Sequence, residues 1–393
     1  MLRSIFLTLT ALFLVGCGGE QTRVPSAPPA DRFRLAEIPG FPDARVLFGE
    51  SLAFDPVRID AFAANRREGG LDNSAFTILA LSGGGPDGAF GAGLLKGWTE
   101  HGDRPVFDVV TGISTGALIA PFAFLGPEFD RVLERFYTEV TTEEVIDFAF
   151  LGAIFGALSV ADSQPLEQIL IEEMTPTLVA QIAREHRRGR RLLIGTTYLD
   201  AQRPVIWDVG QIAASGHPDA PALIRKIMLA SASIPGVFPP VFFDVEAGGA
   251  RYTELHVDGG VALSVFAYPI GINLGEVLDR LGVPERNRQL YVIRNAKLKP
   301  EYAPLDLQLV SVSERSISTL IKSQTVGTLA IMRNVAIRDG FRYNLAFVPD
   351  SFSAVPEDFF DPVYMSLLYD VGYKLARAGY DWQPSLQTLL AAD

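Results

Sequence analysis

Two kinds of hydrophobic pattern follow each other in the first third of the chain. Continuous apolar runs at Phe76–Leu81 and Val106–Thr111 are typical of buried strands. Between them, residues 89–100 place apolar side chains at helical spacing, and a second helical pattern begins at Ala117. This order is that of a parallel βαβ unit, and such units build sheets covered by helices on both faces. The sequence therefore predicts an α/β fold around a mainly parallel sheet.

The rest of the chain continues the alternation of helical and strand-like segments. Helical patterns cover Glu128–Arg188, Ala222–Ser231, Leu305–Arg338 and Asp361–Ala378. Strand-like runs cover Leu192–Tyr198, Pro204–Val209, Val241–Val245, Tyr252–Val257, Leu290–Arg294 and, as an edge strand, Phe341–Val348. Phe33–Asn73 carries scattered aromatic residues without a clear period, so we expect it to be an extension packed on the domain surface.

The N-terminus has the features of an export signal. Arg3 precedes the apolar residues Ile5–Val15, which are too few to span a bilayer comfortably. They end in Leu14-Val15-Gly16-Cys17, which resembles a bacterial lipobox, a site cleaved before a cysteine that is then acylated. Cys17 is the single cysteine of the chain, so the exported protein has no disulfide. The alternatives are an ordinary signal peptide or an uncleaved anchor.

These patterns divide the chain into four parts. We predict a lipoprotein signal peptide at 1–16, a lipidated tether with an N-terminal extension at 17–72, the main domain at 73–350, and a C-terminal helical segment packed on it at 351–393. Lipidation predicts a membrane-anchored protein of the bacterial cell envelope. The net charge of -12 argues against nucleic acid as a partner and against electrostatic adhesion to anionic lipid.

A glycine-rich loop, Ser82-Gly-Gly-Gly-Pro-Asp-Gly88, follows the first strand. Gly83, Gly85 and Gly88 fit the dinucleotide fingerprint G-x-G-x-x-G. The same loop suits a second role, in which consecutive amides converge on the oxyanion of a tetrahedral intermediate; a plain packing turn is a third interpretation. A dinucleotide site expects an acidic residue at the end of the next strand, whereas Asp108 lies near the beginning of that strand.

The second strand leads into Gly112-Ile-Ser-Thr-Gly116, a G-x-S-x-G sequence at a strand-to-helix turn. Such a turn lifts the Ser114 oxygen out of the sheet, and the two glycines let strand and helix approach closely. The helix N-terminus favours developing negative charge there. A tight turn with an incidental serine is the alternative.

A nucleophilic serine needs a base, and the chain offers few histidines: His101, His186, His217 and His256. Only His256 could fill the late histidine position of an α/β-hydrolase, and we expect it to pack locally instead. Asp258-Gly259-Gly260, at the end of a predicted strand, offers a carboxylate that could accept the Ser114 proton directly. The alternative for Asp258 is a plain turn aspartate.

Together the glycine-rich loop, the serine turn and Asp258-Gly-Gly260 resemble the three motifs of patatin-like phospholipases, and Ala230–Pro240 resembles a further family signature. The resemblance implies a three-layer α/β/α sandwich and a Ser–Asp dyad of Ser114 and Asp258. It also implies an oxyanion hole at Gly83, Gly84 and Gly85, with the amides of Gly84 and Gly85 as the main donors. Lipid or other acyl esters are the implied substrates, and no metal or cofactor is implied.

Two positions depart from the family pattern. Asp87 stands where patatins usually carry Arg or Lys, which works against oxyanion stabilisation unless the carboxylate points away or pairs with a cation. Ser264 stands where Asn is frequent after the third motif. We therefore predict a lipid-anchored serine acyl hydrolase. The rival hypotheses are a non-catalytic envelope lipoprotein that uses the fold to bind, and a nucleotide-binding oxidoreductase that uses the glycine-rich loop.

Overall fold

A computed structural model describes residues 25–49, 56–71, 74–141, 163–302, 304–305, 307, 309–358 and 360–386. The predicted signal peptide, Cys17 and the first part of the predicted tether lie outside these ranges. None of the helices within them combines the length and the apolar character that a membrane span needs.

The centre of the molecule is a nine-stranded sheet. Its strands are β1 (Arg45–Leu47), β2 (Phe76–Leu81), β3 (Val109–Ile113), β4 (Arg191–Tyr198), β5 (Arg203–Asp208), β6 (Val241–Ala247), β7 (Ala250–Asp258), β8 (Arg288–Arg294) and β9 (Arg342–Phe347). The strand order is β1-β5-β4-β3-β2-β8-β9, and the hairpin β6–β7 joins the sheet through β4. Strands β4, β3, β2, β8 and β9 run parallel, while β1, β5, β6 and β7 pair antiparallel.

Helices connect the strands and cover the sheet. They are α1 (Pro56–Glu68), α2 (Gly88–His101), α3 (Thr115–Leu125), α4 (Asp130–Thr138), α5 (Gln164–Glu173), α6 (Pro176–Arg187), α7 (Val209–Ala214), α8 (Ala220–Ser231), α9 (Leu274–Arg280), α10 (Leu309–Arg338) and α11 (Pro362–Arg377). Each predicted strand is present: β2 has the predicted bounds, and the bounds of the others differ from the prediction by at most three residues.

Strand β2 shows how the sheet separates two cores. Its side chains alternate, so Leu79 and Leu81 join one buried cluster, while Ile78 and Ala80 join another. The first cluster includes residues of α2, α3, α6, α8 and α11, and the second includes residues of α9 and α10. Helices on both faces of a mainly parallel sheet make the three-layer α/β/α sandwich that the resemblance implied.

Strand β3 begins later than its apolar run predicts. Val106 is 72% exposed, whereas Phe107 is buried against Trp98. The parallel pairing with β2 starts only at Val109. Val106 therefore points to solvent instead of continuing the buried run.

The N-terminal extension takes part in the sheet, which the expectation of a surface-packed segment did not include. Strand β1 pairs with β5 and forms one edge of the sheet. Before it, Ile38, Phe41 and Ala44 are buried in the first core cluster. Three residues are too few to show a strand period, which explains why the sequence pattern gave no signal.

Candidate active site

The predicted nucleophile lies on a strained turn between β3 and α3. Ser114 has φ 54° and ψ -126°, so it is one of the few non-glycine residues with positive φ. A Cβ atom at Gly112 would lie 2.4 Å from the carbonyl oxygen of Gly116, and one at Gly116 would lie 2.4 Å from that of Leu81. Both motif glycines are thus required by close backbone approach, as the G-x-S-x-G pattern predicts.

The end of α8 holds the backbone of both predicted catalytic residues. The hydroxyl of Ser231 accepts a hydrogen bond from the Ser114 N–H at 3.0 Å and donates to the carbonyl of Gly195 at 2.7 Å. The Asp258 N–H donates to the carbonyl of Ser233 at 2.8 Å. The hydrogen bonds of Ser231 and Ser233 give a physical reason for the Ala230–Pro240 signature. The sequence alone did not single out Ser231 within it.

Replacing Ser231 with alanine is expected to destabilise the fold by about 1–3 kcal/mol, because the buried Ser114 N–H loses its acceptor. The rate of serine acylation should fall as well, since the strained turn is then less firmly held. Ser233→Ala is the matched control, because within the described part of the chain its hydroxyl binds just the Leu229 carbonyl of the same helix end. Denaturant unfolding and acylation rates check both variants. Equal losses in the two would contradict a special role for Ser231.

Asp258 ends β7 and presents one free carboxylate oxygen. Its Oδ1 accepts a hydrogen bond from the Gly260 N–H at 2.6 Å. Its Oδ2 is buried and, among the described residues, has no hydrogen-bond partner. Burial raises the pKa of Asp258 to about 6, against the opposing effects of the Ser114 hydroxyl and the Gly260 N–H. The Ser114 hydroxyl thus interacts with the Asp258 carboxylate, whose Oδ2 is the oxygen without another partner among the described residues.

His256 is engaged in a buried network of its own. Its Nδ1 lies 2.8 Å from the Thr196 hydroxyl and its Nε2 lies 3.2 Å from a carboxylate oxygen of Glu254. Glu254 in turn forms an ion pair with Arg45 from β1. Burial lowers the pKa of His256, so the ring is neutral at pH 7 and donates from Nε2 to Glu254. Both ring nitrogens are occupied, in keeping with the prediction of a locally packed histidine.

The glycine-rich loop lies directly beside the nucleophile. A Cβ atom at Gly83 would be 3.1 Å from Cβ and 3.7 Å from Oγ of Ser114. The Gly83 N–H donates to the Ser264 carbonyl at 3.1 Å, so it is not free to bind an oxyanion, and the predicted three-glycine hole loses this donor. Among the backbone hydrogen bonds that the described residues make in loops, turns and caps, none is donated by the N–H of Gly84 or Gly85. They remain as the two available donors.

The remaining motif glycines lie where the pattern expects them. Gly88 begins α2, and Gly259 and Gly260 form a short turn directly after β7. A Cβ atom at Gly259 would lie 2.5 Å from the Gly195 carbonyl. The turn therefore packs against β4 and fixes the end of the strand that carries Asp258.

The two departures from the family pattern have structural consequences. The Tyr364 hydroxyl of α11 donates to Asp87 Oδ1 at 2.6 Å. Burial raises the pKa of Asp87 to about 6, and Arg294 and Lys297 oppose that rise by their charge. The hydroxyls of Ser264 and Thr325 are hydrogen-bonded at 2.8 Å, so Ser264 ties the loop to α10. The Asp87 carboxylate thus accepts a hydrogen bond from Tyr364 and is stabilised by the positive charges of Arg294 and Lys297.

Asp108, which a dinucleotide site would need near the loop, lies at the opposite end of β3. It forms a buried ion pair with Arg66 and accepts a hydrogen bond from the Thr77 N–H at 2.7 Å. These contacts make it a structural residue of the sheet edge away from the glycine-rich loop. The oxidoreductase hypothesis is therefore left without its ribose-binding carboxylate.

A comparison with protein families agrees with this geometry. Residues 79–269 match the family described as patatin-like phospholipase, and this range contains the loop, the serine turn and Asp258-Gly-Gly260. No curated protein matches the chain. Among solved structures, VipD from Legionella pneumophila is similar with 12% identity and a TM-score of 0.33, over 78% of this chain and 67% of that chain. By the family match, residues 79–269 form a domain of the patatin-like phospholipase family, which supports a lipid acyl hydrolase activity in general.

Proposed function

We propose that this chain is a serine acyl hydrolase that cleaves lipid acyl esters through a Ser114–Asp258 dyad and an acyl-enzyme intermediate. One observation carries the proposal. The buried Asp258 carboxylate, whose Oδ2 has no hydrogen-bond partner among the described residues, interacts with Ser114, a serine held at positive φ beside the glycine-rich loop. A base, a nucleophile and oxyanion donors are the three parts that acyl transfer requires.

In the first half-reaction, Ser114 Oγ attacks the ester carbonyl carbon while its proton passes to Asp258 Oδ2. The amides of Gly84 and Gly85 stabilise the oxyanion of the tetrahedral intermediate. The intermediate collapses with cleavage of the bond to the alkoxy oxygen, which takes the proton from Asp258 and leaves as an alcohol. Water then attacks the acyl-enzyme by the same route, releasing a carboxylic acid and restoring Ser114.

An apolar cavity supports a hydrocarbon-bearing substrate. It has a volume of about 90 Å³ and lies between the segment 263–270 and α10, lined among others by Leu263, Phe266 and Met332. The same segment contains Ser264, whose carbonyl binds Gly83 of the loop. An acyl chain bound there would gain about 0.8 kcal/mol for each buried methylene group.

The proposal is tested by labelling the purified protein with a fluorophosphonate, which phosphonylates activated serines. We expect one adduct, located at Ser114 by mass spectrometry of the digested protein, and no adduct in Ser114→Ala. Absence of labelling in a folded wild-type protein would favour the non-catalytic binding lipoprotein. An absorbance band of a bound nicotinamide or flavin would favour the oxidoreductase.

We further propose that the enzyme is held at the membrane of the bacterial cell envelope through acylated Cys17. Wild-type protein is expected to partition into detergent and to incorporate a radiolabelled fatty acid, whereas Cys17→Ser should do neither. Two or more acyl chains anchor a protein stably, while a single chain is marginal. Ester hydrolysis by Cys17→Ser in detergent solution serves as the folding control. Unchanged membrane retention of the variant would point to an uncleaved helix or a protein partner.

A further inference from the structure

A buried arginine from outside the family-matched region contacts the loop that carries the predicted oxyanion donors. Arg294 is the last residue of β8, next to β2 in the parallel part of the sheet. Its Nη1 donates to the Gly83 carbonyl at 3.1 Å and lies 3.3 Å from the Ser82 hydroxyl oxygen. Arg294 is 4% exposed, so this cation is directed at the loop and not at solvent.

The Gly83 carbonyl has a second donor on the same side. The Ser82 hydroxyl donates to it at 2.7 Å and accepts a hydrogen bond from the Asn295 N–H at 2.9 Å. Because a peptide is planar and trans, its C=O and the following N–H point in opposite directions. Fixing the carbonyl of Gly83 therefore fixes the direction of the Gly84 N–H.

We propose that Arg294 is a positioning residue for the oxyanion hole: it holds the Gly83 carbonyl and thereby keeps the Gly84 N–H directed at the reacting centre. The inference deepens the proposed hydrolase function and rests on it. The space around Gly84 agrees with a fixed peptide, since a Cβ atom there would lie 1.9 Å from the Asn295 carbonyl. The residues after β8 thus form a rigid support under the loop.

The positive charge of Arg294 also compensates for the unusual negative charge of Asp87. A negative group beside a developing oxyanion opposes catalysis, and this chain lacks the usual cation at that position. The Tyr364 hydroxyl holds the Asp87 carboxylate, while Arg294 supplies positive charge from the neighbouring strand. Burial lowers the pKa of Arg294 to about 10, and the negative charge of Asp87 opposes this lowering. The two groups therefore act on each other. The loop therefore has its cation on β8 instead of within its own sequence.

The experiment compares Arg294→Met and Arg294→Lys with wild type on a short p-nitrophenyl ester and on a boronic acid that mimics the tetrahedral intermediate. Removing an oxyanion donor outright costs about 10²–10³ in kcat, and misdirecting one should cost somewhat less. We expect kcat of Arg294→Met to fall about 10- to 100-fold with KM little changed, and boronic acid affinity to fall in parallel. Arg294→Lys, which keeps one donor and the charge, should recover part of both losses.

Arg288→Met is the matched control. Arg288 is a buried arginine at the other end of the same strand, where it binds the carbonyls of Val283 and Asp339. Arg288→Met should lower the melting temperature, but it should change the boronic acid affinity no more than it changes KM. A similar change in both arginine variants would overturn the positioning role, because it would show a general effect of removing a buried cation.

A double variant separates positioning from charge neutralisation. If Arg294 only neutralised Asp87, Asp87→Asn/Arg294→Met would recover wild-type kcat, and that recovery would overturn the proposal. We expect the double variant to stay as impaired as Arg294→Met. Wild-type activity is the reference for the proposed function: an inactive wild type refutes the hydrolase, whereas an active wild type with an equally active Arg294→Met refutes only this inference.

Discussion

Ser114→Ala is expected to abolish hydrolysis of short p-nitrophenyl esters while leaving the fold intact. Without Oγ there is no covalent route and no proton for Asp258 to accept, so the loss should reach several orders of magnitude in kcat. The fold should persist because alanine at this turn has nearly the same backbone restriction as serine, and the Ser231 hydroxyl still binds the residue 114 N–H.

Steady-state kinetics and thermal unfolding of the same preparation check this result. Ser215→Ala is a suitable control, because its hydroxyl contacts only local backbone after α7: it donates to the Ile212 carbonyl and, within the described residues, otherwise accepts just the His217 N–H. That variant should keep wild-type turnover. Retention of more than a tenth of wild-type turnover by Ser114→Ala would contradict the assignment of the nucleophile.

Periodicity predicted most of the fold because the sheet is buried on both faces. Strands such as β2 are then continuous apolar runs, and helices show a clear apolar spacing. The failures have physical causes too. Val106 is apolar but points to solvent, and β1 is too short to show a period. The division of the chain into four parts stays a prediction.

The three motifs of the site were accessible to sequence analysis because each is a local pattern at the end of a strand. The side chains that support them are not local. Ser231, Arg294 and Tyr364 reach the site from α8, β8 and α11, and only the assembled sheet brings them together. One signal was present: residues that follow β8 emerge beside the loop after β2, since ends of neighbouring parallel strands share one edge.

The structure changes one expectation about pH. A carboxylate base near its ordinary value would place the acidic limb of activity below about pH 5, and a histidine base would place it near pH 6 to 7. Burial raises the pKa of Asp258 to about 6, so the carboxylate limb moves into the range expected of histidine. The pH profile therefore no longer distinguishes the two bases, and the variants must do so.

Asp258→Asn is expected to lose nearly as much activity as Ser114→Ala. The amide has the shape of the carboxyl group and can still accept the Gly260 N–H, yet it cannot take a proton from Ser114 at neutral pH. His256→Gln should keep most of its turnover below its melting temperature, because the histidine serves the Thr196 and Glu254 network. In a Ser–His–Asp enzyme, removing the histidine costs several orders of magnitude. A dead His256→Gln enzyme beside a largely active Asp258→Asn would refute the dyad.

Asp258→Asn should stabilise the protein while inactivating it. The folded pKa of Asp258, about 6, exceeds its ordinary value of 3.8, so between these pH values the folded state keeps a proton that the unfolded state has lost. Wild-type stability therefore falls as pH rises from about 4 to about 6, by roughly 3 kcal/mol from this group. Asp258→Asn has no such loss. In denaturant unfolding, the free energy of unfolding of the variant should equal that of wild type near pH 4 and exceed it most above pH 6. A variant less stable than wild type at pH 7 would contradict the view that the buried carboxylate is kept for catalysis at a cost in stability.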